Sequence, residues 1–131
     1  MITVKKLKEW WACEDAIEVL EANGGKCSAK KAIRLCEEHN PNWLTWLMTT
    51  PVCGELIKAG VDVNVRAGGG RTALHFAAYD DLLGLVVCKL LLDHGADVNA
   101  RNDRGNTPLY LAGLWGCRDN AKLLKEHGGT L

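Results

Sequence analysis

The chain has 131 residues, 47% hydrophobic and 24% charged, which suits a single globular domain able to bury a core. Its 16 basic and 16 acidic residues cancel, so no global field gathers nucleic acid or an anionic membrane surface. The most apolar run, Leu82 to Cys88, is too short to cross a bilayer, and the opening MITVKKLKEWW lacks the apolar stretch of a leader; both point to a cytoplasmic protein.

Residues 1–26 read as two short helices or one bent one. Val4, Leu7 and Trp11 make one apolar stripe, and Cys13, Ala16, Ile17 and Leu20 continue it with a phase shift near Ala12, until Gly24-Gly25 ends the segment. Ser28 caps a helix through Glu38, with Ala32, Ile33, Leu35 and Cys36 on its apolar side. Its bases come early and its acids late, against the helix dipole, so packing must hold it. Asn40-Pro41 opens a helix carrying Trp43, Leu44, Trp46, Leu47 and Met48, and Thr50-Pro51 opens another that ends at Ala59-Gly60. Neighbouring side chains on a helix diverge by about 100°, so Trp10 and Trp11 cannot share one core face.

The stretch from Leu90 to Leu109 organises the rest of the chain. Leu90, Leu91 and Leu92 finish a helix, and Gly95 supplies the positive φ that lets the chain leave it. Asp97 to Ala100 read as extended, Asn102 to Gly105 as a turn, and Thr107-Pro108 as the cap and first residue of a new helix. The string recurs. Leu56-Ile57 with Gly60-Val61-Asp62-Val63-Asn64 matches Leu91-Leu92 with Gly95-Ala96-Asp97-Val98-Asn99 at an offset of 35. Leu123-Leu124 and Gly128 continue it, Gly128 falling 33 residues after Gly95. Gly70-Arg71-Thr72-Ala73-Leu74-His75 likewise aligns with Gly105-Asn106-Thr107-Pro108-Leu109-Tyr110.

From Leu56 to Leu131 this period, with its T-P-L-H-x-A signature, resembles the ankyrin repeat. The resemblance implies an all-α fold, a short solenoid of about two and a half repeats with β-hairpin-like loops, capped by N-terminal helices. Pro41 precedes Gly60 by 19 residues and Pro108 precedes Gly128 by 20, so residues 40–66 read as a degenerate first repeat, followed by repeats at 67–101 and 102–131. In the first clear repeat Thr72 to Ala78 is the inner helix and about Leu83 to Asp93 the outer one, with two extra residues between Tyr79 and Leu85; in the second, Thr107 to Leu114 and about Cys117 to Glu126 take those parts. Residues 1–39 are then the helical cap, and the whole is one cooperative domain because two clear repeats are too few to stand alone. The N-terminal pattern Ile2-Thr3-x-x-x-Leu7, Ala12-Cys13-x-x-x-Ile17-x-x-x-Glu21, with Trp43-x-x-Trp46-Leu47, is similar to a helical module that opens many phage and mobile-element proteins.

Several features invite a chemical reading and are better explained structurally. His75, in the T-A-L-H string, has no nucleophile or carboxylate placed beside it, and the resemblance makes it a brace between repeats. His39, His94 and His127 follow helix C-terminal ends, where an imidazole suits the dipole. Asp80-Asp81 offer too few oxygens for a metal and read as a solvated loop open to a basic partner. Gly68-Gly69-Gly70 lacks the lysine of a phosphate-binding loop and reads as a mobile hairpin tip. Among Cys13, Cys27, Cys36, Cys53, Cys88 and Cys117 no pair has zinc-knuckle spacing, so all read as reduced, mostly buried thiols. No catalytic residue, metal or cofactor is expected.

The resemblance implies function by surface. Carried over by position, the partner-binding places are Gly68, Gly69, Arg71, Tyr79 and Asp80 in one repeat and Asp103, Arg104, Asn106, Leu114 and Trp115 in the next. The partner is another protein. A phage or mobile-element factor that inhibits a host defence protein fits so small a binder. An alternative is a structural role in which the N-terminal tryptophans pair two copies as a homodimer. Nucleic-acid binding through Arg66, Arg71, Arg101 and Arg104 ranks last, given the neutral charge.

Overall fold

The computed structural model describes residues 2–3, 5, 22, 24, 26–50 and 53–131. Two short strands, β1 (Ile2–Thr3) and β2 (Lys26–Cys27), pair antiparallel, with Ile2 opposite Cys27. The helices are α1 (Ala29–His39), α2 (Pro41–Leu47), α3 (Cys53–Lys58), α4 (Ala73–Ala78), α5 (Gly84–Asp93), α6 (Pro108–Leu114) and α7 (Arg118–Glu126). Ile2-Thr3, expected at the start of a helix, is instead a strand edge; the expected stripe from residue 6 to residue 21 lies outside the described residues.

Helices α1, α2 and α6 begin where their capping chemistry lies. The Ser28 hydroxyl accepts from the Lys31 N–H, Asn40 Oδ1 from the Asn42 N–H, and Thr107 Oγ1 from the Tyr110 N–H. Gly60, Gly95 and Gly128 end α3, α5 and α7 with φ of 90°, 87° and 86°, as the offset of the glycines predicts. Helices α2, α4 and α6 form the inner row and α3, α5 and α7 the outer row. Helix α4 packs on α5 and α6, α5 on α7, and α6 on α7; α2 packs on α4, and α1 closes the near end against α2 and α3. One apolar cluster runs through the stack, from Ala32 and Cys36 on α1 through Met48, Leu56, Leu74, Leu91 and Leu109 to Leu124.

The repeats are locked by polar bonds that recur with the sequence period. Asp62 Oδ1 accepts from the Asn64 N–H at 2.9 Å, and Asp97 Oδ1 from the Asn99 N–H at 3.0 Å. The asparagines then reach across: Asn64 donates to Gly95 O at 3.2 Å and accepts from the Asp97 N–H at 2.7 Å, while Asn99 donates to Gly128 O at 3.1 Å and accepts from the Thr130 N–H at 2.8 Å. This corrects one expectation. Asp97 to Ala100 is a turn, closed by the Ala100 N–H on Asp97 O at 3.2 Å, because the Asp97 side chain draws the following backbone inward. The interval between inner and outer helix is Tyr79 to Leu83 in one repeat and Trp115 to Cys117 in the next, five residues against three, which is the two-residue insertion.

Ala32 and Cys36 are each 4% exposed in the shared core, so the stack depends on α1 for its near wall. A chain beginning at residue 40 is expected to lose cooperative unfolding, measured by circular dichroism during a thermal ramp. A sharp transition in that shortened chain would show that the wall is dispensable.

Candidate partner-binding surface

The hairpin between α3 and α4 is closed by a bridge between Arg66 and Thr72, with Gly68–Gly70 as a single 3₁₀ turn at its tip. The mobility expected of three successive glycines is not what the tip shows. The Gly68 N–H donates to Asn42 Oδ1 at 2.7 Å, and Gly69 O accepts from the Asp103 N–H at 2.9 Å, so the tip is tied to the units before and after it. Gly70, at φ 68°, has its absent Cβ position 2.5 Å from Asp103 Oδ1.

Arg66 and Arg101 hold the hairpins together. Arg66 Nη1 donates to Gly70 O at 2.8 Å and to Arg101 O at 2.7 Å, and Arg101 Nη1 repeats the first of these on Gly105 O at 2.8 Å. His75 completes the brace and is fully buried. Its Nδ1 accepts the Thr72 N–H at 3.1 Å, which leaves the proton on Nε2 to be donated to Asn106 O at 3.0 Å. Both ring nitrogens are therefore engaged. Burial is the main cause that holds the imidazole pKa below its ordinary 6.5, opposed by the bond to Asn106. Tyr110, at the matching position, is 41% exposed, and there the link to the following segment is Thr107 Oγ1 to Thr130 O at 2.6 Å.

His94 and His127 lie at helix ends with Nδ1 at 2.9 Å from Leu90 O and 3.0 Å from Leu123 O, so both cap the last turn as expected. Cys53, Cys88 and Cys117 are free and buried, and Cys36 is buried; Cys13 and the Cys27 side chain lie outside the described residues. Burial is the leading cause that pushes the thiols of Cys53, Cys88 and Cys117 up to about 11, 12 and 11, and at Cys117 a 3.0 Å bond to Asp81 Oδ1 adds to it. Such thiols stay protonated at neutral pH and are poor nucleophiles.

The outward face of the inner row carries the candidate surface. The Arg71 guanidinium lies over the Phe76 ring, 5.7 Å from its centre; Phe76 and Tyr79 are 6.2 Å apart, and Tyr79 and Trp115 6.1 Å apart. Leu114 and Trp115 end this row 64% and 66% exposed. Of the residues placed there by sequence, Gly68, Gly69, Arg71, Asp103 and Arg104 line one groove between the two hairpin tips, together with Asn102. Tyr79, Leu114 and Trp115 form the aromatic end, away from that groove. Asp80 is not a free carboxylate: its Oδ1 accepts from the Leu82 and Leu83 N–H groups at 2.8 and 3.2 Å and holds the inserted loop. Asp81 accepts the Cys117 thiol proton at 3.0 Å and is exposed, so the loop is solvated as expected while Asp80 is engaged within it. Asn106 contributes its backbone carbonyl to His75.

Sequence reasoning misses three residues. Trp46 and Phe76 line a second cleft with Asn42, Thr49, Ala67 and Gly68 on the other side of the same tip. The helical period places Trp46 in the core; only stacking α2 on α4 shows that its ring also edges a cleft. Asn120, buried in α7, donates to the carbonyls of Ala77, Ala78 and Asp80 at 3.3, 3.1 and 3.1 Å and so fixes the end of α4 beside Tyr79. Of the N-terminal tryptophans, Trp43 and Trp46 pack partly buried against the core, while Trp10 and Trp11 lie outside the described residues.

Compared with known families, residues 47–130 match the model described as Ankyrin repeats (3 copies). A comparison with curated proteins gave no match. No helix among the described residues is long and apolar enough to cross a membrane.

The bracing can be measured in two ways. Gly70→Ala is expected to cost about 3 kcal/mol by urea denaturation, from its left-handed φ and the collision with Asp103, against about 1 kcal/mol for Gly105→Ala, where space is open at φ 76°. Because the native state binds the His75 proton less readily than the unfolded chain, stability is full above the unfolded value of 6.5 and falls as pH drops below it, levelling off below the native value. His75→Gln should flatten that fall in urea midpoints between neutral and mildly acidic pH; an unchanged slope would assign the titration elsewhere.

Proposed function

The chain belongs to the ankyrin-repeat family, whose repeats are generally protein–protein interaction modules, and we propose that it acts without catalysis by binding a partner protein through its hairpin tips and inner-helix face. One observation carries the reading: the row Arg71, Phe76, Tyr79 and Trp115, on α4 and at the flanks of α4 and α6, which the asparagine and arginine bonds hold in place. Arginine, tyrosine and tryptophan are the side chains that most often anchor interfaces, and a rigid mount lowers the ordering cost of binding. Leu114 and Trp115 add exposed apolar area at the end of that row. Fully buried and bonded through both nitrogens, His75 serves the fold instead of a reaction.

A site of action in a reducing compartment such as the cytoplasm accords with the free, buried thiols of Cys53, Cys88 and Cys117. One form of the role is occupation of a host protein by a phage or mobile-element factor. Pairing of two copies through N-terminal tryptophans draws less support, because Trp43 and Trp46 are packed against this chain's own core.

The test is an affinity pull-down from lysate read by mass spectrometry, comparing the native chain with a Leu114→Ala/Trp115→Ala double variant. Both positions are exposed, so the thermal unfolding of the variant should stay close to native. A protein captured by the native chain and lost with the variant is the expected outcome; equal capture by both would remove the aromatic end from the binding face.

A further inference from the structure

The Gly68–Gly70 tip has a groove on each side, and Gly68 lines both. On one side the walls are the rings of Trp46 and Phe76. On the other they are Arg71 and Arg104, over a floor of Gly68, Gly69 and Asn102 with Asp103 at the edge. The charge at this edge is lopsided. Residues 64–72 and 99–107 hold four arginines and one aspartate on a chain whose formal net charge is zero. Arg66 and Arg101 are fastened to backbone carbonyls and remain as fixed positive charge at the base. Arg71 rests on Phe76, and Arg104 is exposed; among the described residues neither forms an ion pair. Asp103, at the edge, offsets one of the four positive charges and leaves the groove net basic.

Resting on the binding role proposed above, we infer that the partner presents an extended segment whose carboxylate side chain enters between Arg71 and Arg104, while an adjacent apolar side chain enters the Trp46–Phe76 cleft. Two planar guanidiniums flanking one groove suit a carboxylate, which takes paired N–H bonds in their plane. The extended form follows from the layout, because the two grooves share one exposed glycine and successive side chains of an extended chain point to opposite sides, one into each groove. A polyphosphate is the poorer occupant: two of the four arginines are turned to backbone carbonyls, and the adjoining cleft is bounded by aromatic rings.

The experiment is a titration of the full ¹⁵N-labelled chain, followed by amide NMR shifts, with three probes: the acetylated and amidated peptide Gly-Ser-Leu-Asp-Glu-Leu-Gly-Ser, its counterpart with Asn-Gln for Asp-Glu, and single-stranded oligothymidine. Saturable shifts at the Gly68, Gly69 and Arg104 amides are expected with the acidic peptide, weaker by about tenfold with the amide peptide. Arg104→Gln should weaken the acidic peptide by about fivefold, with Arg104→Lys between the two, since lysine keeps the charge and loses the fork. Equal affinity for acidic and amide peptides, absence of saturable shifts at millimolar acidic peptide, or stronger, steeply salt-dependent shifts with oligothymidine would each overturn the inference. None of these touches the lysate pull-down, which depends on Leu114 and Trp115, so failure here and failure of the broader binding role are separately visible.

Discussion

Each unit of this chain satisfies the backbone of the next one. Asn64 and Asn99 take a carbonyl and an amide about one repeat further on, Arg66 takes the carbonyl of Arg101, and His75 that of Asn106. Apolar burial alone would let short helix pairs slide or rotate against one another, because Leu, Ala and Cys contacts are not directional. The hydrogen bonds are directional and fully enclosed at His75, where an unmet partner would cost the desolvation of a buried polar group. They fix the register and leave the core to supply the bulk of the stability.

The proposed binding face is a by-product of that register. Arg71 stands over Phe76 because the Arg66–Thr72 bridge orients the end of the hairpin, and Tyr79 meets Trp115 because Asn120 holds the C-terminal end of α4 through three carbonyls. The insertion at Tyr79 to Leu83 could have disturbed this. It is absorbed locally, with Asp80 capping the loop and Asp81 bonded to Cys117, at the price of exposing Leu82 at 92%. The row of side chains is thus positioned before any partner arrives, which lowers the entropy lost on binding.

Much of the fold is legible in the sequence because repetition amplifies weak signals. Ser28, Asn40, Thr72 and Thr107 mark helix starts, and glycines at matching offsets mark the ends. What escapes is chemistry between units, which no local pattern records. The run Asp97 to Ala100 has the alternation of a strand, yet Asp97 folds it into a turn, and Asn99 then reaches Gly128 and Thr130. The triglycine tip has the composition of a mobile loop, but its motion is limited by Asn42 and Asp103, 26 and 34 residues away along the chain. Trp46 shows the same limit: its helical phase says buried, and only the neighbouring hairpin turns one edge of it into a cleft wall. Carried over by position, Gly68, Gly69 and Arg104 fall on one groove because the hairpin backbone defines their place, whereas the insertion gives Asp80 a capping role within its own loop.

The reach of these links also bears on how the chain finds its structure. The asparagine and arginine bonds between units close over 26 to 35 residues, and Asn120 reaches no further than 43. No contact of this kind joins one end of the stack to the other among the described residues. Folding can therefore begin at any adjacent pair of units and spread outward one neighbour at a time, and its speed is governed by closing one repeat-length loop instead of by the length of the chain.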